Sequence, residues 1–166
     1  MKTYINPTFG DFKCVHCHQH ISADSFLSGV QNRNHCPYCL WSRHLDLYQS
    51  GDRLAACKSP MKPVGLALKK TKKKYGKSQG EMMIIHLCTE CEKVSINRIA
   101  ADDIVDHVYE LFEQSLHIDP ETRATIERSG VTLLEADDAD VVEARLYGWG
   151  NKALPVVADD SFYEFA

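Results

Sequence analysis

Six of the seven cysteines fall in three pairs with two residues between partners, Cys14/Cys17, Cys36/Cys39 and Cys88/Cys91, and the seventh, Cys57, stands alone. Two cysteines so spaced on a tight turn can aim both sulfurs at one ion, and two such turns close a tetrahedron of four thiolates. Eighteen residues separate Cys17 from Cys36, inside the window that reads as a structural zinc site. Cys14, Cys17, Cys36 and Cys39 are therefore expected to share one zinc. A four-thiolate site is coordinatively closed, so it supports a fold and does not activate water. A thioredoxin-like redox pair needs a C-x-x-C opening a helix in a βαβ unit, and neither "FKCVHCHQHISADSFLSG" nor "RNHCPYCLWSRHLDL" offers one.

Cys57, Cys88 and Cys91 want a fourth ligand, and histidine is the usual partner of three thiolates. His86 is favoured: if "EMMIIHLC" is a strand, positions 86 and 88 project from the same face. His44 in "LWSRHLDL", with 12 residues between it and Cys57, is the alternative. Two zinc ions are expected in all. His35, beside Cys36, is placed as a donor to thiolate sulfur. His16, His18 and His20 are expected as solvent-facing loop residues, and His107 and His117 are not favoured as ligands.

The elements that must hold these ligands follow from pattern. "MKPVGLALKK" and "EMMIIHLC" are apolar runs of strand length joined by the polar "TKKKYGKSQG", which reads as a β-hairpin with a long basic tip. Lys69, Lys70, Lys72, Lys73, Lys74 and Lys77 crowd this tip. Flexible ammonium groups neutralise a phosphate backbone without reading its sequence. Arg33 is a further candidate contact to nucleic acid, and Tyr75 could stack on a base.

Beyond residue 103 the pattern changes to helix. Ile104, Val105, Val108, Leu111, Phe112 and Leu116 recur at spacings of three and four, with Asp102 and Asp103 favourable at the helix N-terminus. "DPETRATIERSG" follows with Asp119 as N-cap, Pro120 at the first helical position and Gly130 at the stop. A third helix is expected over about 137–147, after the short apolar run "VTLL". The fold class is therefore α+β: a small zinc-ribbon-like β module with two zinc sites over residues 1–103, then a small, acidic, mainly helical segment over 104–166.

Charge divides the chain near the same place. Residues 1–100 carry a net +8 and residues 101–166 a net −12, which the overall −4 conceals. No run approaches the 18 or so apolar residues of a membrane span, and "MKTYINPTFGDFKC" lacks the apolar stretch of a secretory signal. These features point to a cytoplasmic protein without a membrane partner. There, clustered thiols are more often metal sites than disulfides.

The blocks "FKCVHC", "RNHCPYCLWSRHLD", "GDRLAACKSPMKPVG" and "IIHLCTEC…NRIAADD", in that order over about residues 9–103, resemble the RNHCP zinc-finger domain family. The resemblance implies zinc binding through the paired cysteines and brings no activity with it. It does not cover the acidic extension after Asp103, and the lysine-rich stretch departs from the shorter connection that would serve a hairpin.

Three functions are compatible with these features. The first is a zinc-stabilised module that binds RNA, in a ribosomal or translational setting, through the basic hairpin. The second is a protein-interaction adaptor that uses the acidic C-terminal segment to dock a basic partner. The third is a metal-dependent nuclease with His35 or His44 as base, against which stands the lack of a second acidic metal site or an Asp-His pair at recognisable spacing. No catalytic residue is assigned.

Overall fold

The computed structural model describes residues 10–69 and 80–148. A two-stranded ribbon comes first, β1 (Phe12–Lys13) against β2 (His20–Ile21), followed by a single helical turn, α1 (Ser25–Ser28). A four-stranded antiparallel sheet follows, in the order β3 (Ser42–Arg43), β4 (Pro60–Lys69), β5 (Glu81–Cys88) and β6 (Val94–Arg98). Three helices close the described chain: α2 (Val105–Ser115), α3 (Pro120–Arg128) and, after a 3-10 turn at Ala136–Asp138, α4 (Ala139–Tyr147). The α+β class is as expected. No helix among the described residues is long and apolar enough to cross a membrane.

The hairpin read from the two apolar runs is β4 and β5, paired from Met61 with Cys88 to Lys69 with Glu81. Of its basic tip only Lys69 is described, and it is exposed. Lys70, Lys72, Lys73, Lys74, Tyr75 and Lys77 lie outside the described residues. The register shifts between Pro63 and Gly65, a bulge that bends the strand.

Alternation decides what each face of the sheet buries. Ile84 and Ile85, adjacent on β5 and both fully buried, point to opposite faces. Ile84, Leu66 and Met82 pack with Val108, Leu111 and Phe112 of α2 and Val142 of α4. Ile85, Val64, Ala67 and Val94 pack with Ile126 of α3 and Leu133. Burying side chains such as Val108 and Phe112 contributes about 1.5–3 kcal/mol each. The basic and acidic halves of the chain thus share apolar clusters.

The expected run "VTLL" makes that sharing possible. β3 pairs with β4 only at Pro60 and Met61, which leaves the edge of β4 open further along. There the Leu134 amide donates to the Leu66 carbonyl at 2.8 Å, and Leu133 and Leu134 join the two different clusters. Gly65 permits the approach: a Cβ on it would collide with Leu133 and lie 3.0 Å from the Ser115 Cβ.

The helix ends follow their local chemistry. Asp119 caps α3 by accepting from the Thr122 amide at 2.8 Å, with Pro120 at the first position. α2 begins only at Val105, with Ile104 as its N-cap residue and no side-chain cap. Asp102 and Asp103, expected to favour that helix terminus, are engaged elsewhere.

Candidate metal centres

Three of the cysteine turns share one backbone design. The amide of the first cysteine donates to the carbonyl five residues on: Cys14 to Gln19 at 2.8 Å, Cys36 to Trp41 at 2.9 Å and Cys88 to Lys93 at 2.9 Å. The residue after the second cysteine has positive φ in each case, 61° at His18, 61° at Leu40 and 55° at Glu92. This left-handed step is uncommon for a residue with a Cβ. It brings backbone N–H groups under the sulfurs: Cys14 accepts from the amides of His16 and Cys17, and Cys36 from those of Tyr38 and Cys39. The second cysteines accept from the amide two residues on, Cys39 from Trp41 and Cys91 from Lys93.

Cys57 belongs to the same design although it has no partner in sequence. Lys58 has φ 56°, and the amide of Ser59, two residues on, donates to the Cys57 sulfur. The lone cysteine is therefore the second half of such a turn without the first. With the Ser59 hydroxyl as the leading cause, its thiol is lowered to about 6.

These turns assemble two clusters. Cys14, Cys17, Cys36 and Cys39 form one, and His44, Cys57, Cys88 and Cys91 the other; within each, the ligand atoms all lie within 4.8 Å of one another. In the first, Cys14 and Cys39 sulfurs are 3.5 Å apart and those of Cys17 and Cys36 3.6 Å. In the second, Cys57 and Cys88 sulfurs are 3.7 Å apart, and the Cys91 sulfur lies 3.3 Å from His44 Nδ1. A tetrahedron with metal–sulfur bonds near 2.3 Å has edges of about 3.8 Å, and all seven cysteines are free thiols. The donor sets fit a zinc-sized ion. Burial pushes the Cys36 thiol up to about 11 and raises Cys39 as well, so holding several thiolates here calls for a compensating cation.

The histidine of the second cluster is His44, and this corrects the expectation for His86. His86 is fully buried between β4 and β6, where Nε2 donates to the Leu40 carbonyl at 2.7 Å and Nδ1 accepts from Asn97 at 2.8 Å. Burial, with His35 nearby, lowers it to about 3, so it serves as a neutral hydrogen-bonding post. His44 follows β3, and its amide donates to Ser59 O at 2.9 Å, which fixes it beside the Cys57 turn.

Arg33 and His35 also differ from expectation. The Arg33 guanidinium is buried: Nη1 donates to both oxygens of Asp102, at 2.8 and 2.7 Å, and Nη2 to Asp103 at 3.3 Å. That commits the group within the protein and removes it from the phosphate contact expected for it. His35 Nε2 bonds the Asp103 carboxylate at 2.9 Å, in place of the sulfur contact expected beside Cys36, and Arg33 Nε donates to the His35 carbonyl at 3.1 Å. Asp103 accepts the Ala100 amide as well, at 2.7 Å. An Asp-His pair therefore exists, 68 residues apart in sequence. Both side chains are almost wholly buried, so the pair is a latch between distant segments, out of reach of a substrate. His44 faces cysteine sulfurs, so neither histidine weighed as a nuclease base stands at an open site.

Two of the histidines outside the clusters also have partners. His16 stacks on Trp41 with ring centroids 4.3 Å apart. His107 Nδ1 donates to the Tyr38 carbonyl at 2.6 Å, and the Ile104 amide to Pro37 O at 3.1 Å. The start of α2 thereby grips the two residues between Cys36 and Cys39. Nothing in local spacing announces these contacts.

Between His44 and Cys57 the chain is organised by two carboxylates. Asp52 accepts the amides of Leu47, Tyr48, Gln49 and Leu54, which hold its carboxyl well below the usual range. Asp46 accepts from Gly51 and Arg53 amides. Tyr48 and Leu54 stand exposed on this tied loop.

Comparison with curated proteins and with solved structures finds no match. The model of the RNHCP domain matches residues 9–109, a span that contains every ligand of both clusters together with the Arg33–His35–Asp103 latch, and the chain belongs to the RNHCP domain family.

Proposed function

We propose that the two clusters hold structural zinc and that the module so stabilised binds RNA, in a ribosomal or translational setting. Zinc suits three or four thiolates with at most one imidazole in a tetrahedral set. Four protein ligands at each ion leave no coordination position for substrate water, which favours a binding module over a metal-dependent nuclease.

The observation that carries the RNA reading is a set of exposed cations without acidic partners. Lys13, Arg43, Lys62 and Lys93 are exposed, and none of them forms a salt bridge among the described residues. They lie in the half of the chain with net charge +8. Cations held apart from carboxylates are suited to phosphate, and the affinity they give falls steeply with salt. The test is filter binding of the full chain to a short RNA across a salt series, beside native mass spectrometry for metal content. Two metals per chain and salt-sensitive binding support the reading; salt-insensitive binding or none defeats the RNA part, and fewer than two metals the zinc part.

A second reading has its own observation. Tyr48 is 84% exposed and Leu54 61%, on a loop whose backbone Asp46 and Asp52 tie down. Ordered, exposed apolar groups suit a protein partner, and the acidic C-terminal segment offers a further surface to a basic one. Partner capture that persists after nuclease treatment and is lost in Tyr48→Ser favours this adaptor role.

A further inference from the structure

β6 ends the four-stranded sheet, and only β5 pairs with it. Along an antiparallel pair, residues alternate between exchanging hydrogen bonds with the partner strand and turning theirs away. The Cys88 amide donates to Lys93 O at 2.9 Å, which makes 93 an exchanging position, and the register carries Ser95 and Asn97 with it. Val94, Ile96 and Arg98 therefore turn their N–H and C=O groups outward, and none of these groups has a hydrogen-bond partner among the described residues. Such a row of unpaired backbone groups is a template for another strand.

The row opens on a groove. One part, of about 500 Å³, is lined by Ile96, Asn97 and Arg98 together with residues 29–35; the other, of about 290 Å³, by residues 93–97 together with residues 43–50. Adjacent residues of a strand point to opposite faces, so a groove that meets Val94, Ser95, Ile96 and Asn97 in turn lies at the edge. Its two sides differ in chemistry. Val94 and Ile96 belong with Val131 to the apolar one, whereas Lys93, Ser95 and Asn97 share the other. Arg43, Lys69 and Lys93 line the groove, are exposed and form no salt bridge among the described residues. The one carboxylate among the described lining residues, Asp46, accepts the Gly51 and Arg53 amides.

We infer that this edge takes an extended acidic segment of a partner protein as an additional antiparallel strand, with β-branched side chains beside Val94 and Ile96 and acidic ones beside Lys93, Ser95 and Asn97. In an added strand the backbone hydrogen bonds give affinity and the alternate side chains give specificity. A second copy's β6 suits the edge less, because pairing it there sets like charges together. RNA would satisfy the cations and leave the backbone row unmet. The inference goes beyond RNA binding and stands without it.

The test follows the backbone amide signals of the full chain, isotopically labelled and loaded with zinc, by NMR. Its probe is a blocked heptapeptide that alternates valine with aspartate or glutamate. Beside it are titrated the same peptide with lysine for each acid, and two N-methylated forms. One is methylated on the valine amides, which face β6 in this pairing, the other on the acidic residues' amides, which face away. The acidic peptide is expected to shift the Val94, Ile96 and Arg98 amides and to bind about tenfold or more tightly than the lysine peptide. Methylated valine amides are expected to weaken it by about tenfold or more, and methylated acidic amides by less than about threefold.

Equal affinity of the two methylated forms, or of the acidic and lysine peptides, overturns the inference, as does silence of the acidic peptide to about 5 mM. Shifts at these amides that grow with protein concentration alone assign the edge to a second copy and overturn it as well. Hexa-uridylate titrated alongside separates this inference from the RNA function. Peptide binding without hexa-uridylate binding keeps the edge and counts against RNA; β6 amides that answer to hexa-uridylate and not to the peptide keep RNA and overturn the edge.

Discussion

The two ligand clusters use the same turn chemistry on different foundations. The first stands on short local pieces: its apolar company is Ile21 and Phe12 with the cysteines themselves, and its strands are two residues long. The second takes His44, Cys57, Cys88 and Cys91 from the ends of β3, β4 and β5, which are already bound to one another across Met61 and Cys88. Its sheet is fastened by clusters that include Leu66, Ile84, Ile85 and Phe112. Where apolar packing is scarce an ion must do the work of a core; where packing is ample an ion fastens loose ends. Small modules that cannot bury enough surface depend on metal in just this way.

The largest expected effect tests the first half of that contrast. Cys36→Ser should remove one metal, seen by native mass spectrometry, and unfold the segment from β1 to β3, since a structural zinc supplies on the order of 10 kcal/mol of folding free energy. Backbone NMR should show the β4–β5 hairpin retained. Two metals retained in the variant would end the distinction.

At the second cluster, His44→Ala should release one metal with a smaller loss of helical and sheet signal, because the strands remain paired. His86→Gln should keep both metals. The reverse result for these two histidines would return the fourth ligand to β5.

Asp103→Ala leaves the buried Arg33 guanidinium and His35 with part of their partners removed, and should cost about 3–5 kcal/mol in urea unfolding with metal content unchanged. Gly65→Ala should cost about 1–3 kcal/mol, because Leu133 must move from the β4 edge; its effect falls on helix docking, and metal affinity should hold.

What the sequence discloses here is what lies close along the chain. The paired cysteines, the β4–β5 hairpin and the Asp119–Pro120 start of α3 each depend on neighbours within a few residues. His44 is harder to read from sequence than His86 because strand parity does put residues 86 and 88 on one face, yet both ring nitrogens of His86 are taken by the Leu40 carbonyl and Asn97, which are distant in sequence. Cys88 ends β5 and turns away to meet Cys91, while His86 stays with the sheet. Arg33 and His35 find Asp102 and Asp103 some 70 residues later, a separation at which no periodicity operates. The sharing of apolar clusters between basic and acidic halves was likewise hidden, because charge bias records surfaces and the helices join the sheet through Leu66, Phe112 and Leu134.

The residues of the two clusters occur in strict succession: 14, 17, 36 and 39 in one, then 44, 57, 88 and 91 in the other. Neither set interrupts its neighbour. On a ribosome, where chains fold from the N-terminus as they emerge, the first ion can be captured while the sheet is still unsynthesised. The second waits for Cys91, and the Asp103 latch closes only after both. Metal captured in that order would leave early thiols no occasion to pair with late ones, and mismatched sets would be avoided by the timing of synthesis.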